Sequence, residues 1–271
     1  MKQFSYIPSE IQADHYVLGG VGSLPKVVLR PDGQWVDINP KFEPQSNQFF
    51  DTYSCTGYGT LDCLEMLGHL QGFDFNLSER FMGIVAGTDP KRGGNDPHTV
   101  AEALRHHGAI AEGVLPFDDT IKTVEEFYSF KGNDEKTCRE AGETFTEAWT
   151  FGHEWVFNGF VGNKQELMME ALKYSPLGVA GPAWFKEGDL FVSPKWARDN
   201  HWFKIIGYKE GEYWIAGDSY LEDGEPIKRL AWDYNFGCAK RYHFVKNTVW
   251  KKPTWFSGLL SAIIKFYGKL F

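Results

Sequence analysis

The apolar positions change rhythm twice along the chain. The N-terminal stretch holds short extended pieces, His15–Leu18, Val27–Leu29 and Trp35–Val36, with turn formers at Gly19-Gly20 and Pro31-Asp32-Gly33 between them. From Tyr58 to Gly72 the pattern is different: Leu61, Leu64, Leu67 and Leu70 recur at three-residue steps beside Met66. This predicts a buried helix that Gly72 can stop. A second helix is expected to open at Leu77-Ser78-Glu79-Arg80, and a third to run over Thr99–His107 with Gly108 as its C-cap. Thr123–Phe130 and Lys164–Tyr174 read as two more, the latter on the stripe Leu167, Met168, Ala171 and Leu172. Beyond Pro176 the pattern is that of strands: Leu177–Ala180, His201–Tyr208, Tyr213–Ser219, Ile227–Trp232 and Lys240–Val245. Helices followed by strands predict the α+β class.

Residues 254–271 carry a further two-faced pattern. Trp255, Phe256, Leu259, Leu260, Ile263 and Ile264 share one side, and Ser257, Ser261, Lys265 and Lys269 the other. An amphipathic helix over 249–271 is expected, packed on its own domain or offered to an anionic membrane surface or a partner subunit. Residues 1–248 read as a single domain.

Composition narrows the field. The 271 residues suffice for one large domain, and a formal net charge of -8 argues against a general nucleic-acid binder. Cys55, Cys63, Cys138 and Cys238 are scattered, without CxxC pairs or a metal-ligand rhythm, so free thiols and no metal are expected. No apolar run at the N-terminus reads as a secretory signal, and none elsewhere as a membrane span. A cytoplasmic protein is the expectation.

Cys55 stands immediately ahead of the leucine-rich helix. A helix start offers free N–H groups and the positive end of the helix dipole, a setting that favours thiolate over thiol. Most cysteines in such sequences are structural, and Cys63, inside the helix, reads that way. What raises Cys55 above that reading is a base. His201–Tyr208 and Glu212–Tyr220 form a hairpin if the turn is centred on Glu210-Gly211. His201 then faces Tyr220 and Asp218 faces Phe203, which puts Asp218 diagonal to the imidazole on the same face. Diagonal Cα atoms lie about 7–8 Å apart, close enough for a carboxylate to reach a ring nitrogen. A slip of one residue would part them.

These segments resemble the papain-like cysteine peptidases. Leu77-Ser78-Glu79-Arg80 is similar to that family's Leu-Ser-Glu-Gln, and Gly93-Gly94-Asn95-Asp96-Pro97 to the Gly-Gly segment beside its substrate cleft. Gly108–Glu112 with Leu115-Pro116-Phe117 resembles its Gly-Ile…Glu…Tyr-Pro-Tyr stretch. Asn200-His201 with Ile205–Tyr208 resembles Asn-His-Ala-Val…Val-Gly-Tyr, and Tyr213-Trp214-Ile215 with Asp218-Ser219-Tyr220 resembles Tyr-Trp-Ile…Asn-Ser-Trp. The likeness covers about Trp35 to Phe244. The run Glu43-Pro44-Gln45…Asp51-Thr52…Cys55 looks like the sub-group encoded by viruses of bacteria, which would place the protein in host cytoplasm or virion. The long inhibitory prosegment of the family's secreted members is not expected.

The resemblance implies a two-lobed fold. A helical lobe of about 46–120 faces an antiparallel, barrel-like β lobe of about 15–45 and 150–248, and the active site lies in the cleft between them. It implies a hydrolase of polypeptide substrates with Cys55, His201 and Asp218 as catalytic group and no cofactor. Gly93, Gly94, Asn200 and Tyr220 fall at substrate-binding positions. Two departures stand out. The family's Asn is Asp218, and its shielding Trp is Tyr220. The oxyanion-hole Gln is also displaced: Phe49 occupies its usual place, so Gln48 or Gln45 takes the role beside the Cys55 backbone N–H. Two other functions fit the same pattern: a cell-wall amidase or endopeptidase on a related fold, and an inactive binding protein that kept it.

Overall fold

The structure, a computed structural model, describes residues 6–9, 24–222 and 224–247. The expected strand at His15–Leu18 and the expected C-terminal helix lie outside them. Helix α1 (Cys55–His69) opens the helical part and is buried on nearly every side, as befits a helix that is apolar all round. Two glycines let it and the sheet come close. A Cβ on Gly59 would stand 2.9 Å from Trp202 Cδ1, and one on Gly178 would stand 2.5 Å from Trp202 Cζ2. Helix α2 (Glu79–Val85) is capped by Ser78, whose Oγ accepts from Phe81 N–H. Helix α3 (Pro97–His107) is capped by Asp96 and stopped at Gly108, where φ is 68°.

Helix α4 (Val124–Phe127) is a single turn, and α5 (Glu135–Ala148) carries the helical part past the expected limit near residue 120. The apolar signal of α5 is thin, because only Cys138 and Gly142 are buried along it. Its N-cap, Asp134, which accepts from Thr137 N–H, was the readable sign. Strand β1 (Trp149–Asn158) follows directly. Its alternation of Trp149, Phe151, His153, Trp155 and Phe157 is a period-two pattern that the sequence reading passed over. Helix α6 (Lys164–Leu172) then packs beneath the sheet.

The remaining strands are β2 (Leu177–Gly181), β3 (Phe185–Glu187), β4 (Leu190–Val192), β5 (His201–Lys209), β6 (Tyr213–Glu222), β7 (Glu225–Ala231) and β8 (Cys238–Lys246). Among the described residues they form one sheet with β1, in the order β1-β8-β2-β5-β6-β7-β4-β3, antiparallel except at β4–β7. The edge strands β1 and β3 stand at opposite ends of that order. Helices and this largely antiparallel sheet together make the expected α+β class.

Residues 24–45 contribute no strand either. Trp35 is fully buried but enters as the start of a 3-10 turn (Val36–Ile38), and Val27, Val28 and Leu29 are exposed. Val27 and Val28 are β-branched, which gives strand propensity, but among the described residues no strand pairs with them, and the backbone instead borrows single bonds, such as Leu29 N–H to Lys173 O. None of the four cysteines is in a disulfide, and all four are buried. Among the described residues no helix is long and apolar enough to cross a membrane.

The register of the β5–β6 hairpin determines where the candidate residues fall. Lys209 pairs with Tyr213, which makes a three-residue loop of Glu210, Gly211 and Glu212, with Gly211 at φ 74°. That loop alone would set the strands one residue away from the expected register and send His201 and Asp218 to opposite faces. A bulge between Ile205 and Gly207 corrects it, so that Lys204 lies opposite Gly217. The extra residue, Ile206, turns its carbonyl to Trp35 N–H at 2.7 Å, and Gln34 Nε2 donates to Tyr208 O at 3.0 Å. Segment 34–35 thus holds the bulge. The expected pairing is reached, but by a loop and a bulge rather than by the two-residue turn.

Candidate active site

Cys55 is the first residue of α1, and Lys204 on β5 ties that helix to the sheet through Asp62 on α1, Nζ to Oδ2 2.6 Å. Ser54 is the N-cap, and Tyr53 just before it sits at φ 57°, an unusual conformation for a residue with a side chain. His201 opens β5. Its Nε2 lies 2.6 Å from Asp218 Oδ1, and the Cys55 side chain is near enough to the ring to favour its charged form. Ser219 N–H donates to the same Asp218 oxygen at 2.9 Å. The imidazole and the carboxylate therefore meet, with the sulfur beside them. Cys55 and His201 are both fully buried and Asp218 is 5% exposed.

The two glutamines part company. Gln48 is exposed, beside a cavity of about 540 Å³ that Glu79, Glu112 and Tyr58 also line. Gln45 is fully buried and bonded to β6: its N–H donates to Ser219 O, and its Oε1 accepts from Ser219 Oγ at 2.6 Å. Its Nε2 donates to Tyr220 Oη at 2.5 Å and to Asp51 Oδ1 at 3.2 Å. Tyr220 in turn donates to Asp51 Oδ2, and its ring centroid lies 5.3 Å from that of His201. Tyr220 is buried beside the imidazole. Asn200 is spent on the backbone: it accepts from Ala183 N–H at 2.8 Å and donates to Ala183 O at 3.3 Å.

Gly93 and Gly94 turn the chain at φ 84° and 103°, immediately before Asn95. There the chain's own segment 6–9 is laid down. Tyr6 and Asn95 form a parallel bridge, Ile7 N–H donates to Asn95 O at 3.1 Å, and Ser9 O accepts from Asn158 Nδ2 at 2.7 Å. The Tyr6 ring stacks on Trp202 with centroids 6.2 Å apart, and its hydroxyl meets Cys238 Sγ at 3.3 Å. It packs against the cluster of Cys55, Trp155, Ala180, Trp202 and Cys238.

No family model matches the sequence, and no curated protein matches it. Solved structures do. Procathepsin L 3 of Tenebrio molitor larval midgut superposes at a TM-score of 0.57 and 19% identity, over 80% of this chain and 72% of that one. Bromelain from Ananas comosus, in complex with the E64 inhibitor, gives 0.54 and 19% over 79% and 97%. Xylellain, a cysteine protease from Xylella fastidiosa, gives 0.60 and 15% over 92% and 97%. The chain has the papain-like fold.

Within this papain-like frame the electrostatics favour a charged imidazole. Burial alone would pull the His201 pKa down. The Asp218 charge and hydrogen bond, together with Cys55, outweigh it and raise His201 to about 9. Asp218 is likewise pushed up by burial, but His201 and Lys228 bring its carboxyl below the usual range. Burial pushes the Cys63 thiol up, and Cys238 up to about 12, so both suit a structural role.

Two neighbours of the site escaped the sequence reading. Lys228 on β7, 1% exposed, pairs its Nζ with Asp218 Oδ2 at 3.0 Å. Trp184 sets its ring 5.7 Å from the His201 ring and 5.0 Å from Lys228 Nζ. Alternation along β7 marks Lys228 as facing the same way as Leu230, which was the available signal.

Proposed function

We propose that the protein is a cysteine peptidase, with Cys55 as nucleophile, His201 as proton carrier and Asp218 as its orienter. The observation that carries this reading is the buried 2.6 Å contact of His201 with Asp218, with Cys55 at the first turn of α1 near enough to favour the charged ring. The sulfur attacks the peptide carbonyl, and the imidazolium gives its proton to the leaving amine. Water then resolves the acyl-enzyme with His201 as base. Asp218 fixes the ring and stabilises its charge. The Cys55 backbone N–H and an amide receive the developing oxyanion. Gln45 is the better placed of the two glutamines, since it is bonded to the residues that follow Asp218. A polypeptide substrate is supported by segment 6–9, an extended peptide bonded to Asn95 beside the site. The narrower kinship with enzymes of bacterial viruses rests on the run from Glu43 to Cys55 alone and gains no support from the structures compared.

Casein cleavage by the full chain tests the reading: activity is expected, and Cys55→Ala should reduce it to background. Iodoacetamide should modify Cys55 ahead of Cys63 and Cys138. Equal reactivity of the three, or undiminished cleavage by the variant, would refute the assignment.

A further inference from the structure

A line of alternating charge crosses three strands behind Cys55. Asp218 on β6 uses one oxygen for each neighbour: Oδ1 meets His201 Nε2 at 2.6 Å, and Oδ2 meets Lys228 Nζ at 3.0 Å. The β6–β7 register pairs Lys228 with Ala216, which places Asp218 two residues further along, diagonal to Lys228 on one face. The same diagonal relation joins Asp218 to His201. Lys228 is fixed at a second point, since its Nζ donates to Tyr220 O at 2.7 Å. We propose that Lys228 is a positioning residue that offsets the Asp218 charge, so that the Lys228–Asp218 pair presents His201 with an acceptor close in net charge to a neutral amide, and thereby sets the pH range in which His201 is an imidazolium.

The physical case is that a lone carboxylate and an amide are not interchangeable beside an imidazole. An amide orients the ring without adding charge, whereas a buried carboxylate 2.6 Å away binds the ring's proton strongly. A general acid held too tightly protonated cannot hand its proton to the leaving group. An ammonium on the far oxygen draws charge away from the near one and relieves this without loosening the hydrogen bond. The titratable groups that face His201 and Asp218 are Cys55 from α1, Tyr220 from β6, Lys228 from β7 and Tyr234 beyond it, with Asp51 behind Tyr220. Of these, Lys228 is the cation, and it touches the carboxylate rather than the ring.

The inference rests on the reading of Cys55, His201 and Asp218 as the catalytic group, but its test does not need peptidase activity. The His201 ring signal, assigned by its loss in His201→Gln, is titrated by NMR in the full-length protein. Lys228→Met should move the midpoint up by about one unit, a tenfold gain in proton affinity, and Lys228→Arg should restore it. In case Lys228→Met does not fold, Lys228→Gln, which keeps a polar partner for Asp218 but no charge, takes its place and should again raise the midpoint. A midpoint unmoved by the loss of the Lys228 charge overturns the proposal, since a lysine that only fills space and satisfies Asp218 would leave it there. A wild-type protein with the expected titration but no casein cleavage would instead refute the peptidase reading alone.

Discussion

Between pH 6.5 and about 9 the protein should lose about 3 kcal/mol of stability through His201 alone. The sign follows from the direction of the shift. His201 binds its proton more tightly when folded than when unfolded, so the stabilisation is complete below pH 6.5 and disappears as the pH rises through about 9. The size follows from the rise from 6.5 to about 9, roughly 2.5 units at about 1.4 kcal/mol each. The imidazole is fully buried, so solvent screening does little to reduce the effect. The measurement is urea unfolding under reducing conditions at intervals from pH 6 to pH 10, for the wild type and for His201→Gln. Other groups that titrate in this range, such as Glu112, raised by burial to about 8, and Lys240, lowered by burial to about 7, are common to both proteins and cancel in the difference. The stability difference between the two proteins should therefore shrink by about 3 kcal/mol across the window. A difference that stays constant would show that the ring gains nothing from Asp218 and Cys55, and the electrostatic account of the site would fail.

Four further outcomes follow from the structure. Gln45→Ala should lower the rate of casein cleavage by about a hundredfold, while Gln48→Ala, on the outer cavity, should leave it within about twofold; the reverse order would move the oxyanion role to Gln48. Tyr6→Ala should speed alkylation of Cys55 severalfold, measured by mass spectrometry, because the ring that packs on Trp202 and the Cys55 cluster is removed; an unchanged rate would mean that segment 6–9 does not cover the sulfur. Gly178→Ala should cost about 1–3 kcal/mol in denaturant unfolding, since its Cβ would stand 2.5 Å from both Trp202 Cζ2 and Tyr242 Oη, neither of which can swing away in the packed core. Glu112→Gln should remove a loss of stability that the wild type shows as the pH rises from 4.5 to about 8, because the buried carboxyl holds its proton in the fold and must give it up there; parallel pH curves for the two proteins would contradict this.

Much of the fold could be read from local pattern. The helices at Cys55–His69, Glu79–Val85 and Pro97–His107 follow from the leucine spacing, the Ser78 and Asp96 caps and the Gly108 stop. The strands β2, β5, β6, β7 and β8 follow from dense apolar runs broken by turn formers. The reading failed where the pattern was weak or incomplete. Helix α5 shows the core only a narrow stripe, and the segment from Val27 to Val36 has strand-like residues that pair with no strand among the described residues.

Local pattern placed the candidate residues on their elements: a cysteine at the head of a buried helix, and a histidine and an aspartate on two arms of one hairpin. Helix period, capping and turn formation are short-range effects, so the information for them lies within a few residues of each position. Tertiary structure alone decided whether those residues meet. One extra residue at Ile206, held by the backbone of Trp35, returns His201 and Asp218 to a common face, and nothing near Ile206 in the chain announces it. The same holds for Lys228 behind Asp218, for Gln45 rather than Gln48 beside β6, and for Tyr6 against Trp202. Each depends on partners brought from far along the chain, and strand register, which a single residue can reverse, settles them all.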